Sequence, residues 1–270
     1  MAYVGVSGAA GKMGRTLIQM INRTEGLTLR AAFEHPDNEF IGSDAGSLAG
    51  VGNLNVDIRS TAELLASGID VMIDFSVPQA TLSTVEKCMS AGVGIVIGTT
   101  GFEVAELERI RQASERIPIL MAPNMSVGVN VAFKLIEVAA EILGDTVDVE
   151  VYEMHHRHKI DAPSGTAVKM GEILAETLGR SLKDDAVYGR VGTTGARDTK
   201  IIGFHSARGG DVVGDHTTTF AGTGERIEIT HRAQSRDNFA SGAMLAATFI
   251  ENRRAEKSTG LFDMADVLGI

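Results

Sequence analysis

The chain has few or none of the features that mark secreted or membrane proteins. Cys88 is the only cysteine among 270 residues, so no disulfide can form within the chain, as is typical of a reducing compartment. No apolar run approaches the roughly 18 residues needed to span a bilayer. The N-terminus enters a strand-like run rather than a charged leader followed by an apolar segment. These features predict a cytoplasmic protein that does not enter a membrane.

Basic residues are also in short supply. Lys and Arg total 25 against 35 Asp and Glu, which gives a formal net charge of −10. This balance disfavours non-specific binding to nucleic acid or to an anionic membrane surface. Hydrophobic residues make up 44% of the chain, which excludes a disordered protein. The length suits one large domain or two modest ones, and no internal repeat or low-complexity segment interrupts it.

A glycine-rich turn is the first motif of the chain. The apolar run Tyr3–Val6 precedes glycines at positions 8, 11 and 14, and helical periodicity follows over Met13–Ile21. Glycine permits a tight turn and lets the backbone approach a pyrophosphate, which binds at the N-terminus of the following helix. The pattern predicts the opening strand, turn and helix of a dinucleotide-binding fold. The alternative is a turn that serves only helix–strand packing.

An acidic residue closes the second predicted strand. That strand covers Thr28–Phe33 and ends at Glu34, about 20 residues after the last glycine, where a ribose-binding carboxylate is expected. The next residue, His35, binds a 2′-phosphate less well than arginine would, so the pair favours NADH without excluding NADPH. Lys12 and Arg15 are further candidates for phosphate contact, and a solvated helix face is the alternative interpretation of both.

Strands and helices alternate through the next part of the chain. Apolar strands are predicted over Asp70–Phe75, Gly94–Ile97 and Pro118–Ala122. This alternation predicts a doubly wound parallel sheet of the Rossmann type, in which ligands bind at the carboxyl ends of the strands. Glu34 and the segments Gly98–Thr100 and Ala122–Met125 all fall at that edge. The sequence therefore predicts a shared cofactor rim there.

The second half of the chain has a different pattern. After an apolar-periodic helix, strands are predicted over residues 148–154, 201–207, 212–213, 217–220 and 225–233. Glycine turns between the later runs predict a mixed, largely antiparallel sheet in a smaller α+β domain. We expect residues 127–235 to form this domain for substrate binding and oligomerisation, and residues 1–126 with 236–270 to form the dinucleotide-binding domain. An uncovered sheet face predicts self-association.

A basic block follows the strand that ends at residue 154. It comprises His155, His156, Arg157, His158 and Lys159. These groups can carry positive charge or donate protons, which suits an acidic protein that must bind an anionic substrate. The alternatives are a solvated charged face and a metal site. The metal site ranks lower, because no third ligand joins either histidine pair at metal-site spacing.

Ser164 begins the next predicted helix. Pro163 precedes it, Gly165 and Thr166 occupy the first turn, and apolar periodicity continues over Val168–Leu178. The serine hydroxyl is a typical N-cap, and the free N–H groups and dipole of the first turn favour an anion. Proton donors, a lysine and an anion-binding helix end thus share one short stretch. That combination suits protonation and binding of a small carboxylate substrate.

Several segments together resemble the dihydrodipicolinate reductase family. They read G-A-A-G-K-M-G at 8–14, E at 34, G-T-T-G-F at 98–102, A-P-N-M-S-V-G-V-N at 122–130 and H-H-R-H-K-I-D-A-P-S-G-T-A at 155–167. S-D-A-G at 43–46 and G-L-F-D-M-A-D-V-L at 260–268 are similar to further family segments. The likeness covers essentially the whole chain, and the segment at 155–167 is highly specific.

The resemblance implies a fold, a reaction and a set of site residues. It implies a Rossmann-type cofactor domain, and a smaller domain whose sheet builds a homotetramer. It implies reduction of the cyclic dicarboxylate 4-hydroxy-tetrahydrodipicolinate by NADH or NADPH, with loss of water, in lysine and diaminopimelate biosynthesis. His155 matches the proton donor and Lys159 the second catalytic residue. The matched substrate contacts are His156, Lys159, Ser164, Gly165 and Thr166. The matched cofactor contacts are Gly8, Ala9, Ala10, Gly11, Lys12, Met13, Glu34, His35, Gly98, Thr99, Thr100, Ala122, Pro123, Asn124 and Met125.

Two positions depart from the family pattern. His35 stands where some members have arginine, and Met125 where some have phenylalanine. Two other functions stay open on the residues alone: another nicotinamide dehydrogenase, such as one for amino acids, and a dinucleotide sensor without catalysis. The segment at 155–167 argues against the other dehydrogenase. A sensor has no need of proton donors beside an anion-binding helix end.

Overall fold

The computed structural model describes residues 1–235 and 237–270. One unit is formed by Met1–Val127 with Asp237–Gly269, and the other by the segment that begins at Gly128. Position 236, where the predicted return to the first domain starts, lies outside the described residues. Each unit has its own sheet and its own hydrophobic core, so each is described in turn.

Strands and helices are numbered in chain order. The strands are β1 (Ala2–Ser7), β2 (Leu27–Glu34), β3 (Ile58–Ser60), β4 (Val71–Asp74), β5 (Gly94–Ile97), β6 (Pro118–Met121), β7 (Asp148–His155), β8 (Ala186–Tyr188), β9 (Ile202–Arg208), β10 (Gly214–Ala221), β11 (Arg226–Ala233) and β12 (Gly260–Phe262). The helices are α1 (Lys12–Ile21), α2 (Ala45–Ala49), α3 (Pro78–Ala91), α4 (Val104–Ser114), α5 (Val127–Leu143), α6 (Gly165–Thr177), α7 (Leu182–Asp185), α8 (Asp237–Ala255) and α9 (Met264–Leu268). Within the described part of the chain, no helix is long and apolar enough to cross a membrane.

The first unit is built on a parallel sheet. Its strand order among the described residues is β12-β6-β5-β4-β1-β2-β3, and these neighbouring strands are paired in parallel. The order of the strands reverses between β1 and β4, where Ser7 is paired with Asp74. A crevice for a ligand forms at such a reversal, outside the carboxyl ends of the strands. The predicted doubly wound sheet is confirmed.

Helices cover both faces of this sheet. On one face, α1 and α8 bury Leu17 and Ile250 in a shared core. On the other, α3 and α4 bury Val85 and Ile110. Burial on both faces explains why β5 reads as an uninterrupted apolar run, Gly94–Ile97. The prediction that the late helix returns to the first domain is confirmed by the place of α8 in its core.

The second unit is built on a mixed sheet. Its order is β11-β10-β7-β9-β8, with β10 antiparallel to both neighbours and β9 parallel to both of its own. Residues of β7 alternate, so that Val149 and Val151 enter the core with Met170 and Leu174 of α6 and Ile136 of α5. The predicted mixed, largely antiparallel sheet is confirmed, and β7 ends at the start of the basic block.

Three short strands were not predicted. β3, β8 and β12 are each three residues long and lie at sheet edges, where they are paired with β2, β9 and β6. Three residues carry too little periodicity to show in a sequence, because the pairing partner supplies most of the order. β12 lies furthest along the chain from its partner strand, because residues near the C-terminus extend the sheet of the first unit.

Two local patterns predict the wrong structure. The segment 37–52 is rich in Gly, Ser and Asp, which predicts a loop, but it contains α2, whose N-cap Asp44 accepts a hydrogen bond from the Ser47 N–H at 2.7 Å. The Asp44 carboxylate also accepts from the N–H groups of Leu54 and Val56, so one side chain orders the segment. The pair at 212–213, predicted as a strand, lies before β10, because two β-branched residues alone do not make a strand.

Candidate active site

The glycine turn joins β1 to α1. Gly8 has a φ of +71°, and its carbonyl oxygen accepts the N–H of Gly11 at 3.1 Å. Gly11 is the N-cap of α1 and offers no side-chain hydrogen bond to the first turn. A Cβ on Gly14 would lie 2.1 Å from the Gly8 oxygen, so helix and turn approach too closely for any side chain there. The N–H groups of the first turn of α1 have no side-chain cap, and the turn has no side chains to keep a ligand from the backbone. Both features suit the binding of a pyrophosphate.

Glu34 ends β2 beside this turn. Its Oε1 accepts the N–H of Ala10 at 2.9 Å, and its Oε2 accepts the N–H of His35 at 3.2 Å. These bonds fix the carboxylate at the turn, where ribose hydroxyls of a dinucleotide can donate to it. His35 is exposed, and its Nδ1 lies 3.6 Å from the carboxylate of Asp37. The neighbouring acid makes this position less favourable for a 2′-phosphate.

Lys12 and Arg15 have different surroundings. Lys12 is exposed at the first position of α1. Arg15 donates from Nε to the carbonyl of Ala10 at 2.9 Å and lies over the ring of Phe40, 5.4 Å from its centroid. Arg15 therefore braces the glycine turn, and Lys12 is the cation that a phosphate can reach without breaking a contact.

The ends of β4 and β5 share a buried network that the sequence analysis missed. Asp74 Oδ1 accepts from the N–H and the hydroxyl of Ser76, at 2.9 and 2.6 Å, and from Thr81 at 3.1 Å. Thr99 joins it, since its hydroxyl accepts the Ser76 N–H at 3.1 Å. The sequence does contain evidence for this network. Asp74 and Ser76 lie at the carboxyl end of β4, just as the predicted segment Gly98–Thr100 lies at the carboxyl end of β5. The network fixes the rim at Thr99, whereas Thr100 is exposed.

The segment after β6 is fixed by packing. Ala122 and Met125 are buried, and Asn124 accepts the N–H of Ser126 at 2.9 Å, while Pro123 is exposed. A Cβ on Gly242 of α8 would lie 1.7 Å from the Met125 carbonyl oxygen, so the helix backbone approaches this segment directly. All the predicted cofactor residues thus lie in the turn or at the carboxyl edge of one sheet.

The second unit places a buried imidazole at the end of β7. His155 is 8% exposed, and its Nδ1 lies 2.6 Å from Oε2 of Glu153. Arg208 donates to both oxygens of Glu153, at 2.8 and 2.9 Å. Burial lowers the pKa of His155, and the Glu153 carboxylate offsets part of that effect. At neutral pH the imidazole is therefore mainly uncharged in the free protein.

A second buried histidine joins the imidazole to the next helix. The ring of His216 on β10 lies edge-on to His155, with centroids 5.0 Å apart, and its Nε2 lies 2.9 Å from the Ser164 hydroxyl. Burial, reinforced by the nearby His155, lowers the pKa of His216 to about 3, so it is neutral at physiological pH. Ser164 also accepts the N–H of Ala167 at 3.2 Å, which confirms the predicted N-cap.

The remaining residues of the block differ in exposure. Lys159 extends its Nζ to 2.9 Å from Oδ1 of Asp161, and its side chain is 20% exposed. His156 is half-buried and accepts the Lys159 N–H with its carbonyl at 3.1 Å, while Arg157 and His158 are exposed. The first turn of α6 is exposed at Gly165, where a Cβ would meet nothing within 4 Å, and Thr166 beside it is half-buried. Over the ranges described, no group of His, Cys, Asp and Glu is arranged to hold a metal ion.

Glu153, Arg208 and His216 were not among the predicted site residues. Arg208 and His216 come from strands far along the chain, and only the sheet pairing brings them to His155. Glu153 could have been found, because residues two apart on a strand share a face and Glu153 precedes His155 by two. The structure thus joins the predicted donor, the predicted helix start and three unpredicted partners in one cluster.

Comparisons with known proteins match both units. The model described as dihydrodipicolinate reductase, N-terminus, matches residues 2–125, and the model described as dihydrodipicolinate reductase, C-terminus, matches residues 128–268. A curated 4-hydroxy-tetrahydrodipicolinate reductase from Acinetobacter baumannii is 51% identical over 267 residues, covering 99% of this chain and 96% of the relative. The likeness therefore extends over essentially the full length of both proteins.

Solved structures give the same result for the fold. A dipicolinate-bound dihydrodipicolinate reductase from a Paenisporosarcina species is 26% identical, with a TM-score of 0.75 and 98% of each chain covered. A scyllo-inositol dehydrogenase from Lactobacillus casei with bound NAD(H) and scyllo-inositol is 13% identical, with a TM-score of 0.63, and covers 99% of this chain and 93% of its own. The second likeness shows a shared fold alone.

Proposed function

The chain belongs to the dihydrodipicolinate reductase family, and on that premise we propose how its residues carry the reaction. It is an NAD(P)H-dependent oxidoreductase that reduces 4-hydroxy-tetrahydrodipicolinate, a cyclic dicarboxylate, in lysine and diaminopimelate biosynthesis. The observation that carries the residue assignment is His216, whose contacts bring the buried imidazole of His155 and the start of α6 at Ser164 into one cluster. The setting of such a biosynthetic enzyme is the cytoplasm.

The first unit is the dinucleotide-binding domain of this proposal. The uncapped start of α1 and the turn from Gly8 to Met13 bind the pyrophosphate, and Glu34 accepts hydrogen bonds from the ribose. The segments Gly98–Thr100 and Ala122–Met125 line the part of the site that would hold the nicotinamide ring. That ring supplies the hydride when the cofactor is bound. Positioning of this kind contributes on the order of 7–11 kcal/mol to lowering a barrier.

The second unit binds the substrate. The first turn of α6, at Ser164, Gly165 and Thr166, offers hydrogen-bond donors to one carboxylate, while His156 and Lys159 bind the other. Loss of water leaves an unsaturated ring, on which negative charge develops as hydride arrives. A proton from Nε2 of His155, or from Nζ of Lys159, neutralises that charge on the ring. The neighbouring helix end and cationic groups favour a bound diacid throughout.

Binding of dipicolinate, the planar diacid held by the Paenisporosarcina relative, tests the substrate site. We expect titration calorimetry with NADH present to show binding to the wild-type protein. Lys159→Gln should weaken that binding roughly 10- to 100-fold, because a hydrogen bond to a charged group contributes about 1.5–3 kcal/mol. Lys169→Gln is the matched control. Lys169 lies ten residues further on, within α6, where it is paired with Glu172, so this variant should bind dipicolinate normally. Equal affinity in both variants would remove Lys159 from the substrate site.

Assembly into a homotetramer through the second sheet is the other part of the proposal. Helices α5 and α6 cover one face of that sheet, while Tyr152, on the other face, is 47% exposed. Light scattering should give a mass four times the 28.6 kDa of the chain. Tyr152→Glu should lower that mass, because burial of an unpaired charge in an interface is costly. Val104→Glu, at an exposed site of the first unit, should leave it unchanged. A monomeric wild-type mass at micromolar concentration would contradict the assembly.

A further inference from the structure

The carboxylate beneath the proton donor is the least exposed ionised group of the cluster. The Glu153 side chain is 1% exposed, and it precedes His155 by two residues on β7, which places both on one face of the strand. One oxygen lies 2.6 Å from Nδ1 of His155. Arg208, which is paired with His155 in the parallel β7–β9 ladder, donates to both oxygens. Both Glu153 oxygens are thus engaged, so its orientation is fixed from two sides.

This arrangement determines which nitrogen of His155 carries the proton. An ionised carboxylate only accepts hydrogen bonds, so Nδ1 must be the protonated nitrogen of the neutral ring. The Arg208 guanidinium keeps the Glu153 pKa low, against the raising effect of burial, and so keeps the carboxylate ionised. Nε2 is then the basic nitrogen. It faces Gly214 of β10, where a Cβ would lie only 3.0 Å away, so the glycine leaves space at that nitrogen.

We propose that Glu153, oriented by Arg208, is a positioning residue that fixes the tautomer and ring orientation of His155, so that Nε2 is the nitrogen that takes up and delivers the transferable proton. The inference rests on the proposed role of His155 as donor and adds the reason that the donor is competent. Protonation of Nε2 creates an imidazolium whose charge Glu153 balances directly. Transfer of that proton to the substrate ring returns His155 to its neutral form, with the proton on Nδ1. Glu153 stays ionised throughout and neither gains nor loses a proton.

The groups around His155 set the direction of the pH dependence. Glu153 is the anion that faces it, Lys159 and Arg208 are the cations, and His216 is a neutral neighbour with a pKa lowered to about 3. Glu153 raises the pKa of His155, while burial and the two cations lower it. Activity that requires protonated His155 is lost as the pH rises through that pKa. Removal of the anion should therefore move the loss to lower pH, and removal of a cation should move it to higher pH.

Glu153→Gln is the first test. Because Arg208 offers only donors, the new amide oxygen faces Arg208 and its NH₂ group faces Nδ1, which forces the proton of the neutral ring onto Nε2. We expect kcat to fall roughly 10- to 100-fold, the range found when the partner that orients a metal-bound histidine is removed, with little change in KM. The alkaline limb of the kcat/KM profile should move by about one unit or more to lower pH, since each unit reflects one tenfold change in proton affinity. Glu153→Asp, which keeps the charge, should restore the limb at least in part.

A matched control comes from the same strand. Glu150 also lies on β7, is bonded by Arg190 and Arg197, and does not contact His155. Glu150→Gln removes a similar carboxylate–arginine network around a half-buried glutamate, so it reports general loosening of the second unit. We expect the pH profile of this variant to match the wild type. An equal displacement of the profile in both variants would overturn the positioning role.

A double variant separates positioning from independent catalysis. If Glu153 acts through the imidazole, Glu153→Gln should cause little further loss in the His155→Ala background, since residues that act as a unit are not additive. A multiplicative loss there would overturn the proposal. Near-normal turnover of His155→Ala alone would instead overturn the proposed role of His155 as the proton donor, so the two failures are distinguishable.

Arg208→Gln provides a second route if Glu153→Gln does not fold. It removes a cation that lowers the pKa of His155 and leaves the Glu153 carboxylate in place. The alkaline limb should then move to higher pH, opposite to the change expected for Glu153→Gln. Displacement in the same direction, or none, would contradict the assignment.

Discussion

Replacement of His155 by alanine is expected to lower kcat by roughly 10²–10⁴-fold, the usual contribution of a positioned acid or base. Affinity for NADH should stay unchanged, because the residues proposed to bind the nucleotide belong to the first unit. The His155 side chain is 11% exposed and held through Nδ1, so the fold, and not free rotation in solvent, sets the direction of its Nε2. Initial rates with NADH and enzymatically generated substrate, together with fluorescence titration of NADH, measure both quantities.

Lys159→Ala should cause a comparable loss for a different reason. Lys159 is proposed both to bind a carboxylate and to supply a proton, so its removal should raise KM as well as lower kcat. His158→Ala, an exposed neighbour in the same block, is the matched control and should keep near-normal turnover. Near-normal turnover in both the His155 and Lys159 variants would remove the catalytic assignment altogether.

A volume-conserving variant guards against a trivial cause. His155→Ala leaves a cavity next to Glu153 and His216, and cavities of this size destabilise a core by a few kcal/mol. His155→Gln keeps most of the volume and can still donate a hydrogen bond to Glu153, but it cannot carry the transferable proton. Equal losses of kcat in the two variants, with unchanged thermal unfolding of the glutamine form, assign the loss to proton transfer.

The nucleotide half of the site could be predicted because its determinants are local. The glycines at 8, 11 and 14 lie between one strand and one helix, and the need for a missing side chain is written in the spacing itself. The end of each parallel strand then follows from the alternation of strands and helices. Asp74 and Ser76 also end a strand, but the sequence does not show that Thr81 and Thr99 form hydrogen bonds with them.

The substrate half could be predicted only as a block of residue types. The sequence places His155 near Ser164, but it gives no sign that His216, 52 residues beyond Ser164, joins them. The pairing of Arg208 with Glu153 spans 55 residues and depends on the register of β7 against β9. Register is a property of two strands together, so a pattern within one strand cannot supply it. This is why the proton donor was predicted, whereas Arg208 and His216, which reach it from other strands, were not.

Replacement of Gly14 by alanine is expected to abolish measurable NADH binding and to destabilise the first unit. The new Cβ would lie 2.1 Å from the Gly8 oxygen and 2.7 Å from Cα of Ala9. Both neighbours are backbone atoms, so neither can rotate away as a side chain would. The helix must move from the turn, although its residues Leu17 and Ile18 are fully buried in the core. Overpacking of this kind costs typically 1–3 kcal/mol, and here the turn that must contact the pyrophosphate is the part displaced.

Two control variants are expected to affect NADH binding less than Gly14→Ala does. Gly11→Ala places its Cβ 3.3 Å from the same Gly8 oxygen, so a displacement of a few tenths of an ångström relieves the contact. We expect it to fold with near wild-type stability and to lose less NADH affinity than Gly14→Ala. Thr16→Ala changes α1 without facing the turn, since its hydroxyl bonds only the Lys12 carbonyl of its own helix. It should bind NADH normally, which shows that the helix itself tolerates alanine.

Unfolding with and without NADH separates lost affinity from lost stability. A ligand that binds only the folded state stabilises it by RT ln(1 + [L]/Kd), or about 2.7 kcal/mol at a hundredfold excess over Kd. The wild type should gain that amount on addition of NADH, whereas Gly14→Ala should gain almost nothing even where most of it remains folded. If Gly14→Ala were merely less stable, it would gain as much as the wild type, and the close approach of helix and turn would have no bearing on the cofactor. The size of the gain, rather than the stability alone, therefore decides whether the glycine turn binds the nucleotide.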